Sequence, residues 1–195
     1  MLFVSPRTDF CMQRCAWVPL DKADYVQYHD LEWGVPVHDD RQLFEMLILE
    51  GSQAGLNWYT ILKKRAAYRQ AFHHFDPEAV ARMPDTELET LLNNPEIIRN
   101  RLKVYAARDN ARIFLTIQKE FDSFDAYVWR FVDGQPLINR PGSMLEVPVR
   151  NEISDDLSKD LKKRGMRFVG PTIMYAYMQA VGMVNDHSTD CFKSL

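Results

Sequence analysis

The sequence predicts an all-α protein, and three observations support that fold class. Apolar residues recur at helical spacing along most of the chain, most clearly over 41–50, 103–117 and 121–132. Residues that start or stop helices flank several other segments. No stretch combines sustained apolar alternation with β-branched residues, so the sequence predicts no sheet.

Each of the three periodic segments has a continuous apolar face. Residues four apart share one face of a helix, and residues three apart lie close to it. The three faces consist of Leu43, Phe44, Leu47 and Ile48, of Val104, Ala107, Ala111 and Phe114, and of Phe121, Phe124, Val128 and Phe131.

Three further helices are predicted from their ends. A capping carboxylate before a proline, a Ser-Asp-Asp cap and a first-turn proline are typical helix starts, and glycine is a typical stop. The starts are at Asp76-Pro77, 154–156 and Pro171, and the stops are at Gly165 and Gly182.

The composition is that of a folded, soluble domain. The chain has 195 residues, of which 46% are hydrophobic and 26% charged, so a disordered chain is excluded. No apolar run approaches the length of a membrane span, and the first residues are too short an apolar run for a secretory signal. Three cysteines cannot all pair with one another, which favours an intracellular, cytoplasmic protein without a disulfide framework.

The chain divides at Met12 into a short leader and one large unit. Residues 1–11 have no structural pattern and are interpreted as a disordered N-terminal extension, and residues 12–195 as a single unit. The Pro- and Gly-rich stretch 134–148 is interpreted as a long surface connection.

The charge pattern leaves nucleic acid open as a partner. The net charge is −3, which argues against a strongly basic binder, but local patches count more than the total. Positive charge is in excess over 62–69, 96–112 and 159–167, either as solvated helix faces or as contacts to phosphate.

Two cysteines and two histidines near the chain ends form a candidate metal set. Cys15 and His29 lie near the beginning, and His187 and Cys191, four positions apart, share one face of a helical turn. Two thiolates and two imidazoles complete a tetrahedral zinc site with no open position, which would be structural. The alternative is that both cysteines are small buried apolar residues and both histidines lie on the surface.

The remaining cysteine and histidines are weaker candidates. Cys11, four positions before Cys15, is a competing ligand without other support. His38, His73 and His74 are interpreted as surface residues.

Glu50 and a group of aromatic residues are candidates for a ligand pocket. Glu50 continues the apolar face of its helix, where a carboxylate is costly unless it is paired or functional. The alternative for Glu50 is a carboxylate at a frayed helix end, and for the aromatic rings a place in the core. As a pocket, the rings would stack a planar ligand. They are Trp17, Tyr25, Tyr28, Trp33 and Trp58.

A short basic connection over 91–112 is a candidate phosphate contact. Two helices joined by such a hairpin can present backbone amides and cations to a phosphate.

These elements occur together in one known family. The chain closely resembles the 3-methyladenine DNA glycosylase I family from about Met12 to Cys191. The matching residues include Arg14-Cys15-Ala16-Trp17-Val18, Tyr28-His29-Asp30, Glu32-Trp33-Gly34-Val35-Pro36, Leu49-Glu50-Gly51, Gln53-Ala54-Gly55-Leu56, Trp58, Ile97-Ile98-Arg99-Asn100-Arg101, Lys103, Phe168-Val169-Gly170 and Val184-Asn185-Asp186-His187.

The resemblance implies an all-α helix-hairpin-helix glycosylase fold of two helical subdomains. The hairpin region would lie at about 84–115, and a terminal region from about 12–40 and 165–191 would be joined by a structural zinc ion. The zinc ligands implied for this chain are Cys15, His29, His187 and Cys191.

The resemblance also implies the activity and its residues. The chain would excise N3-methylated adenine flipped out of damaged double-stranded DNA, as a monofunctional N-glycosyl hydrolase that releases free 3-methyladenine. It would act as a cytoplasmic bacterial monomer, at the nucleoid and not at a membrane. The implied residues are Glu50 for recognition and catalysis, Tyr25, Tyr28, Trp58, Trp17 and Trp33 for the base, and Gln53, Gly55, Leu56, Arg99, Arg101 and Lys103 for DNA.

Several details bear on this expectation. Glu96 stands where the family usually has glycine at the hairpin turn, and a side chain there changes how the turn can face a phosphate. Asp122 and Asp125 receive no role, since the family does not rely on an aspartate there. A non-catalytic sensor of alkylated or abasic DNA would use the same pocket, and a zinc hydrolase is disfavoured by a closed four-ligand site.

Overall fold

The computed structural model describes residues 12–194, and its architecture is almost entirely helical. The N-terminal extension 1–11, with Cys11, falls outside the described residues. The helices are α1 (Ala23–Leu31), α2 (Asp40–Gln53), α3 (Trp58–Leu62), α4 (Arg65–Ala71), α5 (Pro77–Ala81), α6 (Asp85–Leu91), α7 (Arg101–Phe121), α8 (Phe124–Trp129), α9 (Glu152–Lys163) and α10 (Pro171–Ala180). Short 3-10 turns occupy His73–Phe75, Arg130–Val132 and Met144–Glu146.

The central element is α2. It begins at the Asp39 cap, whose carboxylate accepts from the Gln42 amide at 2.9 Å, and every residue from Leu43 to Ser52 is buried. Helices α3, α7, α8 and α10 all pack against it. The predicted helix over 41–50 is confirmed and continues to Gln53, so Glu50 lies inside a buried helix and not at a frayed end.

The longest helix, α7, confirms the prediction over 103–117 and extends it at both ends. Asn100 caps it by accepting from the Lys103 amide at 3.1 Å, and Asp122 ends it with a left-handed φ of 70°. Helices α5, α6 and α2 pack along it.

The predicted helix over 121–132 is wrong as one element. Phe121 is the last residue of α7, and the Ser123 hydroxyl caps α8 by accepting from the Ala126 amide at 2.9 Å. The apolar spacing is continuous across the break because both helices bury the same side, whereas the left-handed Asp122 and the Ser123 cap interrupt the backbone.

The start predicted at 154–156 is displaced by three residues. Asn151 is the cap of α9, and Ser154 completes a capping box by accepting from the Asn151 amide while the Ser154 amide donates to the Asn151 side chain. The starts at Asp76-Pro77 and Pro171 are confirmed, and α10 ends just before Gly182.

The one strand pair in residues 12–194 is minimal. Strand β1 (Leu137–Ile138) pairs in parallel with β2 (Val184–Asn185). The prediction of no sheet is therefore wrong at this one place. Each strand has only two residues, which is too short for an alternating apolar pattern to be visible in the sequence.

The segment after α1 pairs with the end of α10. The Gly34 amide donates to the Gln179 carbonyl at 2.9 Å, and the Val37 amide donates to the Val181 carbonyl at 3.0 Å. Gly182, with φ 72°, fits here because a Cβ would lie 2.3 Å from the carbonyl carbon of Val35. In the described part of the chain, no helix is both long and apolar enough to cross a membrane.

Candidate base pocket and metal centre

The predicted aromatic residues surround one cavity of about 390 Å³, and Glu50 forms part of its wall. Helix α1 contributes Tyr25 and Tyr28, and α3 contributes its first residue, Trp58. Trp17 and Trp33 flank α1 on either side along the chain. The structure thus brings together all six residues predicted from the sequence.

The aromatic rings of the pocket wall pack against one another. The Trp17 and Trp33 ring centroids lie 4.9 Å apart with their planes at 73°, and Tyr28 lies 5.2 Å from Trp58. Trp17 lies 5.3 Å from Tyr25. Tilted and edge-to-face contacts of this kind are favourable for aromatic pairs.

Glu50 is a buried carboxyl group without a protein partner. The residue is 3% exposed, and its Oε2 has no hydrogen-bond partner. Burial raises the pKa of Glu50 from 4.5 to about 8, because the low-polarity surroundings disfavour the charged form. Burial thus favours the protonated form of this carboxyl group.

Trp58 presents a second unsatisfied polar group. Its Nε1 is buried and has no acceptor within the described residues. Buried polar groups are normally hydrogen-bonded, so an unpaired acceptor and an unpaired donor in one pocket indicate complementarity to a polar ligand.

Two further parts of the wall were missed by the sequence analysis. One is the end of the predicted surface connection, with Met144, Val147, Pro148 and Val149; the other is the inner face of α10, with Thr172, Tyr175, Ala176 and Gln179. The surface connection gave no signal for this role because its apolar residues have no period.

Buried Asp186 supports the α10 wall. Its carboxylate accepts from the Tyr175 hydroxyl at 2.8 Å, from Gln179 Nε2 at 2.7 Å and from Asn139 Nδ2 at 2.7 Å. These three bonds fix two side chains of the wall.

The predicted DNA-contacting turn lies beside the pocket. After α2 ends at Gln53, the chain turns through Gly55, whose φ is 77°, and exposes 43% of Leu56. A second cavity of about 200 Å³ lies between this turn and α10, and Glu50 and Gln53 border both cavities.

The connection between α6 and α7 lies within the region predicted to be the hairpin. The Glu96 amide donates to Asn94 Oδ1 at 2.9 Å, so this amide is already used, and the Glu96 side chain is exposed. Lys64 Nζ donates to the Pro95 carbonyl at 2.8 Å and holds the turn from outside.

The three predicted DNA-contacting cations differ in availability. Arg99 is exposed, and no partner for its guanidinium occurs among residues 12–194. Arg101 is exposed but pairs with Glu89 at 2.6 Å. Lys103 is half-buried, and its Nζ donates to the Ser52 carbonyl at 2.8 Å and the Ala54 carbonyl at 2.6 Å.

A second helix–turn–helix, α9–α10, was not assigned from the sequence. Thr172 in the first turn of α10 borders both cavities. The first-turn amides of a helix lack intrahelical acceptors and favour anions. The sequence analysis predicted the helix start at Pro171 and left the cations of 159–167 open between solvated helix faces and phosphate contacts, without joining the two into one motif.

Part of the cation cluster at 62–69 is structural. Arg65 Nε and Arg69 Nη2 both pair with buried Glu45, at 2.6 and 2.9 Å. Arg65 also pairs with Glu32 at 2.6 Å.

The structure brings the four predicted metal ligands together. One possible ligand atom from each of Cys15, His29, His187 and Cys191 lies within 4.8 Å of the other three, and all four residues are buried. His187 and Cys191 converge through a non-helical turn, so the predicted helical geometry is wrong although the convergence is right. The alternative interpretation, in which the two histidines lie on the surface, is excluded because His29 and His187 are both buried.

The surroundings orient both imidazoles for coordination through Nε2. His29 Nδ1 lies 2.8 Å from Asp30 Oδ1, and His187 Nδ1 lies 2.8 Å from Asn185 Oδ1. The buried His187 Nε2 has no partner. Metal-binding histidines characteristically engage their second nitrogen in this way.

Burial also favours the uncharged forms of these ligands. It raises the pKa of the Cys15 thiol to about 11 and lowers the pKa of His187 to about 4. The neutral imidazole is ready to coordinate, while thiol coordination would displace protons. The donor set and its geometry fit a bound divalent metal.

Comparison with known proteins identifies the family. Residues 17–194 match the model of the methyladenine glycosylase family. The chain is 49% identical to DNA-3-methyladenine glycosylase 1 of Escherichia coli (strain K12) over 180 residues, which cover 92% of this chain and 96% of that protein. The chain belongs to the methyladenine glycosylase family.

Solved structures of methyladenine glycosylases share the fold. A crystal structure of 3-methyladenine DNA glycosylase I is 52% identical and superimposes with a TM-score of 0.91, covering 94% of this chain and 100% of the other. A variant of such an enzyme in complex with 3-methyladenine is 35% identical, with a TM-score of 0.90 and coverage of 94% and 98%.

The residues given no role in this methyladenine glycosylase lie away from the pocket. Asp125 Oδ1 lies 2.7 Å from exposed His38, and Asp122 ends α7. His73 and His74 are exposed as predicted.

Proposed function

We propose that this protein is a DNA-3-methyladenine glycosylase that hydrolyses the N-glycosidic bond of N3-methylated adenine in double-stranded DNA. The observation that carries the proposal is the buried, unpartnered Glu50 carboxyl group in an aromatic cavity of about 390 Å³. Family membership and the 49% identity to an enzyme of that name support the same reaction.

The aromatic wall recognises the flipped base. A base must leave the DNA stack before an enzyme can hold it, which costs a few kcal/mol and less for a damaged base. Stacking on aromatic rings returns about 1–3 kcal/mol per base. Tyr28, Trp58 and Trp17 supply such surfaces in the pocket.

Glu50 selects the methylated base by charge. Methylation at N3 makes the attached adenine cationic, and a nearby cation lowers the pKa of a carboxyl group. Glu50, held protonated by burial, therefore loses its proton to solvent water when the cationic base enters, and its carboxylate accepts hydrogen bonds from the base. Normal adenine brings no charge and leaves the buried carboxyl group without this compensation.

The leaving group needs little acid catalysis. A cationic base departs neutral when the glycosidic bond breaks, so recognition, desolvation and water access do most of the work. Glu50 acts in recognition and not as a proton donor. We expect a monofunctional enzyme that forms no Schiff base, a reaction that would require an amine nucleophile.

Two sides of the pocket engage DNA. Gln53, Gly55 and Leu56 fill the space left by the extruded nucleotide, since their turn lies at the pocket rim with Leu56 exposed. Arg99 and Arg101 contact phosphates from the α6–α7 side. On the other side, the first-turn amides of α10 face the backbone beside Thr172.

The metal centre holds a structural zinc ion. Two thiolates and two imidazoles match the donor set zinc prefers, and four protein ligands leave no position for water. The ion would tie the segment around Cys15 and His29 to that around His187 and Cys191. It would thereby stabilise the predicted arrangement of two helical subdomains, one of which contains the hairpin region at about 84–115. The protein would act as a monomer in the cytoplasm.

The test is release of free bases from methylated duplex DNA, detected by chromatography, with Glu50→Ala for comparison. We expect wild-type protein to release 3-methyladenine without cutting the strand and Glu50→Ala to release much less. No release from folded, metal-loaded wild type would refute the proposal and favour the sensor of alkylated or abasic DNA.

A further inference from the structure

Helix α7 carries two inward-pointing polar side chains outside the base pocket. Lys103 and Asn110 are seven positions apart, which places them on the same face of the helix. Both line a small, nearly filled space of about 10 Å³ together with Gly51, Ser52 and Phe168. Helices α2 and α7 and the α9–α10 turn meet at this point.

Lys103 holds the end of the helix that carries Glu50. Its Nζ donates to the carbonyls of Ser52 at 2.8 Å and Ala54 at 2.6 Å, which lie at the C-terminal end of α2. Carbonyls at a helix C-terminus lack intrahelical donors and attract cations. Lys103 therefore fixes where α2 stops and where the turn containing Leu56 begins.

Asn110 holds the turn between α9 and α10. The side chain is buried, with only 4% of the residue exposed. Asn110 Nδ2 donates to the Arg167 carbonyl at 2.8 Å, and its Oδ1 accepts from the Arg167 amide at 2.9 Å. The donor and the acceptor of the Asn110 side-chain amide are thus both hydrogen-bonded to the backbone of Arg167.

The turn held by Asn110 is strained and packs directly on α2. Phe168, the next residue, has φ 57°, which is uncommon for a residue with a side chain. A Cβ on Gly51 would lie 3.3 Å from Phe168 Cβ, so the turn touches the helix one residue after Glu50. Such a backbone conformation persists only when its surroundings fix it.

We propose that Lys103 and Asn110 are positioning residues that set the distance between the base pocket and the DNA-contacting turns. Lys103 sets the Leu56 side and Asn110 sets the α10 side, both relative to the rigid helix α7. A free base needs only the aromatic pocket, whereas a nucleotide still attached to DNA needs pocket and turns in register. This inference rests on the proposed glycosylase function.

The test compares Lys103→Met and Asn110→Asp with Arg108→Met as a matched control. Asn110→Asp keeps the acceptor facing the Arg167 amide and replaces the donor facing its carbonyl. Arg108 also lies on α7 and donates to a backbone carbonyl, that of Met83 at 3.1 Å, but it lines none of the three cavities named above. Each variant is measured for melting temperature, affinity for free 3-methyladenine, and kcat and KM on methylated duplex DNA.

We expect kcat/KM on DNA to fall about ten- to a hundredfold in Lys103→Met and Asn110→Asp, because small misplacements carry losses of that order. Affinity for free 3-methyladenine should stay within about twofold of wild type, and Arg108→Met should retain wild-type kcat/KM. If Lys103→Met does not fold, the measurements on Asn110→Asp test the inference. If neither variant folds, both residues are structural and the inference is wrong.

The inference is overturned if both variants process DNA like Arg108→Met, or if they lose free-base affinity and DNA activity equally. In either case wild-type protein still releases 3-methyladenine. Absence of release by wild type would instead overturn the proposed function.

Discussion

Replacing Glu50 by glutamine isolates the cost of burying this carboxyl group. The substitution keeps the size and one acceptor oxygen of the side chain and removes its ionisation. Burial raises the pKa of Glu50 from 4.5 to about 8. A carboxyl group with a raised pKa in the folded state binds its proton more tightly there than in the unfolded chain. Its contribution to stability is complete below pH 4.5 and is lost as the pH rises towards 8.

The size of this loss in stability follows from the pKa shift of Glu50. Each pH unit between the two pKa values changes the free energy of unfolding by about 1.4 kcal/mol. From pH 4.5 to pH 7 wild-type protein therefore loses about 3 kcal/mol that Glu50→Gln keeps. The difference in stability between variant and wild type should grow steadily from pH 5 to pH 8, in favour of the variant.

The assay is urea unfolding of both proteins at pH 5, 6, 7 and 8 with metal content held equal. Glu96→Gln is the control, since it removes a carboxylate that is exposed at the α6–α7 turn and carries no burial cost. A pH-independent difference for Glu50→Gln, or one that shrinks as pH rises, would refute the account of Glu50 as a buried, unpaired acid.

Three other substitutions test the metal centre, the junction of the chain ends and the turn at the pocket rim. Cys191→Ala should lose the metal and lower the melting temperature, by roughly 2–4 °C for each kcal/mol of stability lost in a chain of this size. Calorimetry with metal analysis checks this, and unchanged metal content and melting temperature would contradict the site. Gly182→Ala should destabilise by more than about 2 kcal/mol in denaturant titrations, because a Cβ would lie 2.3 Å from the Val35 carbonyl carbon. Gly134→Ala, with φ 71° and no atom within 4 Å, gives the backbone contribution alone, and an equal loss in both would show that the contact with Val35 is unimportant. Leu56→Ala should leave stability within about 0.5 kcal/mol and free-base affinity unchanged while lowering the rate on methylated duplex; an unchanged rate would exclude Leu56 from the DNA contact.

The local chemistry of the chain was sufficient to predict most of the helices. Apolar spacing located α2 and α7, and Asp76 and Pro171 marked two helix starts, because these features depend on neighbours within a turn or two. The same local reasoning misplaced the start of α9, since Ser154 and Asn151 are both good caps and only the backbone decides between them. It also merged the end of α7 with α8, whose apolar faces are continuous.

The candidate site divides in the same way. Residue types and the family resemblance named the aromatic rings, Glu50 and the four candidate metal ligands, because their chemistry is distinctive in sequence. Lys103 shows the limit of such reasoning: its charge predicted a phosphate contact, whereas the folded chain engages its ammonium with two backbone carbonyls. Only the tertiary structure decided which cations remain free.

What the sequence by itself determined is the fold class, the family and the candidate residues of the pocket and the metal centre. Tertiary structure alone decided that Glu50 is buried without a partner, that the segment near Val147 closes the pocket, and that Asn110 holds the α9–α10 turn. The physical reason is the distance along the chain over which each interaction acts. Propensity, capping and donor chemistry act between neighbours in sequence, whereas desolvation and hydrogen-bond pairing depend on residues brought together from far apart in the chain.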